Sequence, residues 1–141
     1  MISPKSYKNK PKKDSHVRRK HSNQKFYNSK AWRDVRHAYL QQYQAAIFEH
    51  IPRGVWQGES VSKPQQSYIL SLTELPCETC LRLYIAEAYD KVEPGKELDH
   101  IKPVNPESAT ESDKHGRPFA FDNLQYLCRT HHAKKSQRER K

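Results

Sequence analysis

Cysteine and histidine concentrate in two short stretches of this chain. Cys77 and Cys80 are separated by two residues, and Cys128 and His131 repeat that spacing. Two intervening residues let both members of a pair reach one tetrahedral ion across a tight turn. The two pairs together make a closed four-ligand set. The expectation is a structural Zn2+ held by Cys77, Cys80, Cys128 and His131. His132 is the alternative fourth ligand, and the equal spacing favours His131. A redox reading of the Cys-X-X-Cys pair lacks the βαβ pattern that normally surrounds one. Three cysteines cannot all pair with one another, so a disulfide framework is a poor fit.

Four more residues of chemical interest fall between and beside these pairs: Asp99, His100, Asn123 and His132. The run Asp99-His100-Ile101-Lys102-Pro103, then Asp122-Asn123-Leu124-Gln125-Tyr126-Leu127-Cys128, then His132 with Lys135 after it, strongly resembles the HNH endonuclease family. Phe26-Tyr27-Asn28-Ser29-Lys30-Ala31-Trp32-Arg33 also looks like the helix that precedes the first cysteine knuckle in phage-type members. The resemblance covers roughly residues 26–36 and 77–136. It implies a ββα-metal core, in which two antiparallel strands and a helix grip one divalent ion. By the same resemblance His100 is the general base, and Asp99 and His132 hold the ion. Asn123 fixes the loop that carries His100 or adds a metal contact. His131 stands where a fourth cysteine is usual, and the segment between Cys80 and Asp99 is longer than the pattern leads one to expect.

This chemistry is physically coherent. Phosphodiester hydrolysis needs an activated water and a cation that neutralises charge on the phosphorus and the leaving oxygen. A neutral imidazole can take a proton near physiological pH. Mg2+ prefers oxygen ligands, whereas a histidine ligand also suits Mn2+, Ni2+ or Zn2+. In a regular strand Asp99 and His100 would point to opposite faces. Both serve one site only if the strand ends or bends there, and Pro103 follows closely.

The elements that must position these residues are modest. The chain has 141 residues, enough for one domain, and 34% of them are hydrophobic. So small a core gains from a metal. Residues 1–30 carry ten Lys/Arg and one acid, which accounts for +9 of the net +10. The first 25 residues are too polar to bury a core and are expected to be disordered. They form a cationic arm suited to phosphates, because each neutralised phosphate releases counterions. Lys12, Lys13, Arg18, Arg19 and Lys20 of the arm, with Arg33, Arg36 and Lys135, are the candidate nucleic-acid contacts. The domain proper is expected over 26–141. Trp32, Val35, Tyr39 and Tyr43 fall at helical spacing, with Leu40 and Ile47 flanking that stripe, and predict a helix from about 29 to about 48, capped by Asn28 or Ser29. Residues 50–67 read as a loop, within an insertion spanning about 44–72, where Trp56 alone is expected to pack. Tyr68 to Leu72 is ambiguous between helix and strand. Residues 81–90 favour a helix stopped by Pro94-Gly95. Strands are expected over 96–104 and 123–127, with a polar loop at 105–118 and a helix over 128–138.

The expected class is therefore α+β: a small ββα-metal core stapled by a Cys3His zinc, with a preceding helix and a basic arm. The expected function is a metal-dependent endonuclease acting on DNA. The alternative is a non-catalytic zinc module that binds nucleic acid, and an RNA substrate is a further option. The resemblance suggests a phage or prophage source and phage packaging proteins as partners, with homing and restriction roles equally open. No apolar run has the length of a membrane span and no apolar leader follows Met1, so a bacterial cytoplasmic location is expected.

Overall fold

The computed structural model describes residues 24–104 and 118–139. The expected disordered arm and the polar loop at 105–118 fall almost entirely outside them. Residues 24–27 form a helical turn, after which helix α1 spans Lys30–His50. The Ser29 side chain accepts from the backbone N–H of Trp32, satisfying one of the donors that a helix start leaves free. Trp32, Tyr43 and Ile47 are buried on one face of this helix, as its periodicity predicts.

Residues 50–67 are not the loop that their composition suggests. A 3-10 turn at Ile51–Arg53 leads into a small hairpin of β1 (Val55–Trp56) and β2 (Glu59–Ser60). Gln57 and Gly58 turn the hairpin with positive φ angles of 48° and 84°. Helix α2 then spans Lys63–Leu70. Ser62 and Gln65 form a reciprocal capping box, and Pro64 sits in the first turn, where its missing N–H costs nothing. Pro64 thus starts a helix where it reads by itself as loop punctuation. The region supplies Ile51, Trp56, Val61 and Ile69 to the largest apolar cluster, which also holds Tyr43, Ile47, Leu81 and Ile85.

Helix α3 (Glu78–Ile85) starts at the first cysteine pair and stops well before Pro94. Glu87 takes the left-handed conformation (φ 64°) just after its end, and no glycine marks that stop in the sequence. Strands β3 (Glu97–His100) and β4 (Leu124–Leu127) pair antiparallel, with Glu97 opposite Leu127 and His100 opposite Leu124. Asn123 closes a 3-10 turn at Phe121–Asn123 and does not begin the strand. Helix α4 (Arg129–Glu139) follows β4 directly and contacts both strands. The fold is thus a small α+β arrangement with two small antiparallel sheets. Among the described residues no helix is long and apolar enough to cross a membrane.

Gly95 is required by a close approach. A Cβ there would overlap the Cδ2–Cε2 edge of the Tyr126 ring. Gly95 donates its N–H to the Leu75 carbonyl at 2.9 Å, and Lys96 donates to Leu127 at 2.8 Å. The chain before β3 is thereby threaded between the cysteine knuckle and β4.

Candidate functional site

Two helix starts converge on the cysteines. Cys77 is the N-cap of α3, Cys80 lies in that helix's first turn, and Cys128 immediately precedes α4. Helix N-termini carry partial positive charge, which favours thiolates. Cys77, Cys80 and Cys128 are free thiols and buried. Their sulfurs and a nitrogen of His131 all lie within 4.8 Å of one another. The Nδ1 of His131 is 3.6, 3.5 and 3.2 Å from the sulfurs of Cys77, Cys80 and Cys128. The Cys80 and Cys128 sulfurs are 3.9 Å apart. A regular tetrahedron around Zn2+ has S–S edges of about 3.8 Å and S–N edges of about 3.5 Å. The donor set therefore fits a four-coordinate ion such as zinc, and the ligand nitrogen is Nδ1 of His131. Burial pushes the Cys77 thiol up and the Cys80 thiol up to about 12. Three protonated thiols packed together gain little, whereas a cation reverses that preference. The Nε2 of His131 is 3.1 Å from the Tyr89 hydroxyl, and the two rings stack at 5.9 Å. That contact orients the ligand ring from behind. Tyr89 carries no motif signal in the sequence.

The second group of residues lies on β3, β4 and α4. Leu98 and His100 face the side occupied by Trp32, whereas Asp99 faces α4. β3 therefore keeps its regular alternation at Asp99 and His100. The Asp99 Oδ1 is 3.8 Å from the Nε2 of His132, and its Oδ2 is 3.0 Å from the ammonium of Lys135. Two ligands about 2.1 Å from one ion are separated by about 3.0 Å when adjacent and about 4.2 Å when opposite. The Asp99–His132 separation falls within that span, and the ammonium of Lys135 stands on the other oxygen of the same carboxylate.

His100 is only 2% exposed. Its Nε2 is 2.9 Å from the Pro118 carbonyl, which can only accept, so Nε2 carries the hydrogen. Nδ1 therefore bears the basic lone pair, and the Tyr27 hydroxyl stands 3.4 Å from it. Phe26, Tyr27 and Trp32 surround the imidazole with ring centroids 5.1–6.1 Å away. Burial holds the His100 pKa below the ordinary imidazole value, opposed by the Pro118 hydrogen bond and by Asp99. Burial, then Asp99 and Glu139, push the Tyr27 hydroxyl up to about 12. The Asn123 side chain pairs with the backbone of Lys102, accepting its N–H at 2.8 Å and donating to its carbonyl at 3.1 Å. The Ile101 N–H donates to the Asn123 carbonyl at 2.8 Å. Asn123 thus fastens the residues that follow His100.

Of the candidate nucleic-acid contacts, Lys12, Lys13, Arg18, Arg19 and Lys20 lie outside the described residues. Arg33 and Arg36 are exposed on α1. Lys135 is instead 7% exposed and held by Asp99 and by Glu139. Sequence reading passed over Glu139, although its seven-residue spacing from His132 puts both on one face of α4. It also passed over Glu78. The Oε2 of Glu78 lies 2.6 Å from both the Tyr39 hydroxyl and the Tyr126 N–H, binding the cysteine knuckle to α1 and to the free edge of β4. Burial raises the Glu78 pKa against these two contacts. No protein-family model, curated protein or solved structure matches the chain.

Proposed function

We propose that the chain is a metal-dependent endonuclease of the HNH type that hydrolyses DNA phosphodiester bonds, with its fold stapled by a Cys3His zinc. The observation that carries this reading is the arrangement around β3. Asp99 faces His132 from the following helix, the neighbouring His100 has one basic ring nitrogen, and Asn123 clamps the chain beyond them. A structural zinc ribbon has no need of Asp99, His100 and His132.

Asp99 and His132 are the groups that would hold a divalent ion, with Mg2+, Mn2+ and Ni2+ as the candidates. When bound, such an ion supplies the positive charge that phosphoryl transfer needs at the phosphorus and leaving oxygen. His100 accepts the proton of the attacking water at Nδ1 as the new P–O bond forms and the bond to the leaving sugar oxygen breaks. Its depressed pKa keeps the ring neutral and able to accept near pH 7. The Pro118 carbonyl fixes the tautomer, and Asn123 fixes the backbone beyond it. Tyr27 occupies the space on Nδ1 and must yield it to water. Arg33, Arg36 and the basic arm contact phosphates without reading sequence.

The burial of His100, with both ring nitrogens engaged and its side chain on the face of β3 opposite Asp99, favours the non-catalytic zinc module as a second reading. A plasmid-nicking assay with Mg2+, Mn2+ or Ni2+ separates the two. Wild type should nick supercoiled DNA with at least one of these ions, and His100→Ala should lose most of the activity. Cleavage with none of them favours the binding module, and equal cleavage by both proteins removes His100 from the mechanism. Labelled RNA in the same assay tests the substrate class.

A further inference from the structure

A buried lysine needs compensating charge. Lys135 is 7% exposed, and its ammonium sits between two carboxylates, Asp99 Oδ2 at 3.0 Å and the carboxylate of Glu139. His132, Lys135 and Glu139 succeed one another at intervals of three and four, so they share one face of α4. Asp99 reaches that face from β3 and is divided between two partners, Oδ1 toward His132 and Oδ2 toward Lys135. Two acids against one fixed cation leave this pocket one negative charge in excess. An incoming dication on the His132 side of the Asp99 carboxylate and the ammonium on its other oxygen repel one another, because like charges a few ångströms apart interact strongly in a partly buried site.

We propose that Lys135 is an internal cation that competes with the divalent ion for Asp99 and Glu139. It holds both carboxylates in place in the ion-free protein and gives way when the ion binds. The inference rests on the reading that Asp99 and His132 hold the divalent ion. Displacement has a second consequence. The lysine stem is long and flexible, and its ammonium is a mobile point charge. Once released, it can swing outward and meet the substrate phosphate beside the ion. The cation thus guards the site when empty and joins the substrate contacts when the site is filled.

The test measures Mn2+ binding to the zinc-loaded full chain by electron paramagnetic resonance of free Mn2+. Lys135→Met should bind Mn2+ about tenfold more tightly than wild type, equivalent to about 1.4 kcal/mol of lost competition. Lys135→Arg keeps a cation and should stay close to wild type, and Glu139→Gln should bind more weakly. Asp99→Asn should lose the site. Equal binding by wild type and Asp99→Asn would overturn the divalent-ion reading itself. Asp99-dependent binding in wild type, with unchanged or weaker binding by a folded Lys135→Met, would overturn the competition alone. If Lys135→Met does not fold, wild type answers the question. Mn2+ should raise the rate at which an N-hydroxysuccinimide acetate labels Lys135, read by mass spectrometry, and an unchanged or lower rate refutes displacement.

Discussion

Loss of a metal ion from the Cys3His cluster should melt one helix before the rest of the fold. Helix α4 has 11 residues, and Lys135 is its one buried residue. Isolated helices shorter than about 12–15 residues are marginal in water. Its anchor is the cluster of Cys77, Cys80, Val92, Leu127 and Cys128, four of whose members are ligands or flank one. The larger cluster of Tyr43, Ile47, Ile51, Trp56, Val61, Ile69, Leu81 and Ile85 contains no ligand. Structural zinc contributes about 10–16 kcal/mol in small zinc domains, comparable to the whole stability of a typical domain, about 5–15 kcal/mol. α4 holds 11 of the 48 residues in the four α-helices. Chelation should therefore remove about a quarter of the helical circular dichroism at 222 nm, the share that the helix represents. Hydrogen exchange should show lost protection in 129–139 while amides of α1 stay slow. X-ray absorption of the loaded protein should report three sulfur neighbours at about 2.3 Å and one nitrogen at about 2.0–2.1 Å. Protection of α4 amides that survives after elemental analysis confirms loss of the metal, or a purified protein that never carries a metal, would refute this dependence of α4 on the ion.

Three further outcomes follow from single contacts. Gly95→Ala should cost about 1–3 kcal/mol in urea unfolding, because a well-packed ring must move, and the loss should shrink when Tyr126 is replaced by leucine. Asn123→Ala removes two hydrogen bonds to the exposed Lys102 backbone and should cost about 1–2 kcal/mol, with faster exchange at the Lys102 amide as its local signature. His100 has a folded pKa below the unfolded value of about 6.5, so its neutral form stabilises the fold above that pH and the contribution fades as pH falls through the folded value. The stability gap between wild type and His100→Gln should therefore narrow on acidification below about pH 6.5, with acid release of zinc cancelling in the difference. A gap that widens would contradict the buried neutral ring.

Local chemistry was readable where a residue type has one dominant use. Matching two-residue spacings named all four members of the Cys3His cluster, including the choice of His131 over its neighbour. The stripe from Trp32 to Tyr43 defined α1, and of the two candidate caps, Asn28 and Ser29, the helix uses Ser29. Residues 50–70 were less legible, because Pro64 and Gly58 punctuate loops and also start helices and turn hairpins. The capping pair Ser62 and Gln65 held the resolving signal. The early stop of α3 at Ile85 had no signal at all, since a glutamate takes the left-handed turn. Partners contributed from afar, such as Tyr89 behind His131 or Tyr27 on His100, depend on tertiary approach that no local spacing encodes.

The fastening of residues 100–102 to Asn123 and Pro118 also bears on how the molecule could be engineered. Both ends of the long connection between β3 and β4 are pinned to each other before the intervening chain begins. Site geometry there is then set by these contacts themselves, which hold both the His100 ring and the backbone after it. An engineer would accordingly leave Pro118 and Asn123 untouched and place any tag away from this junction.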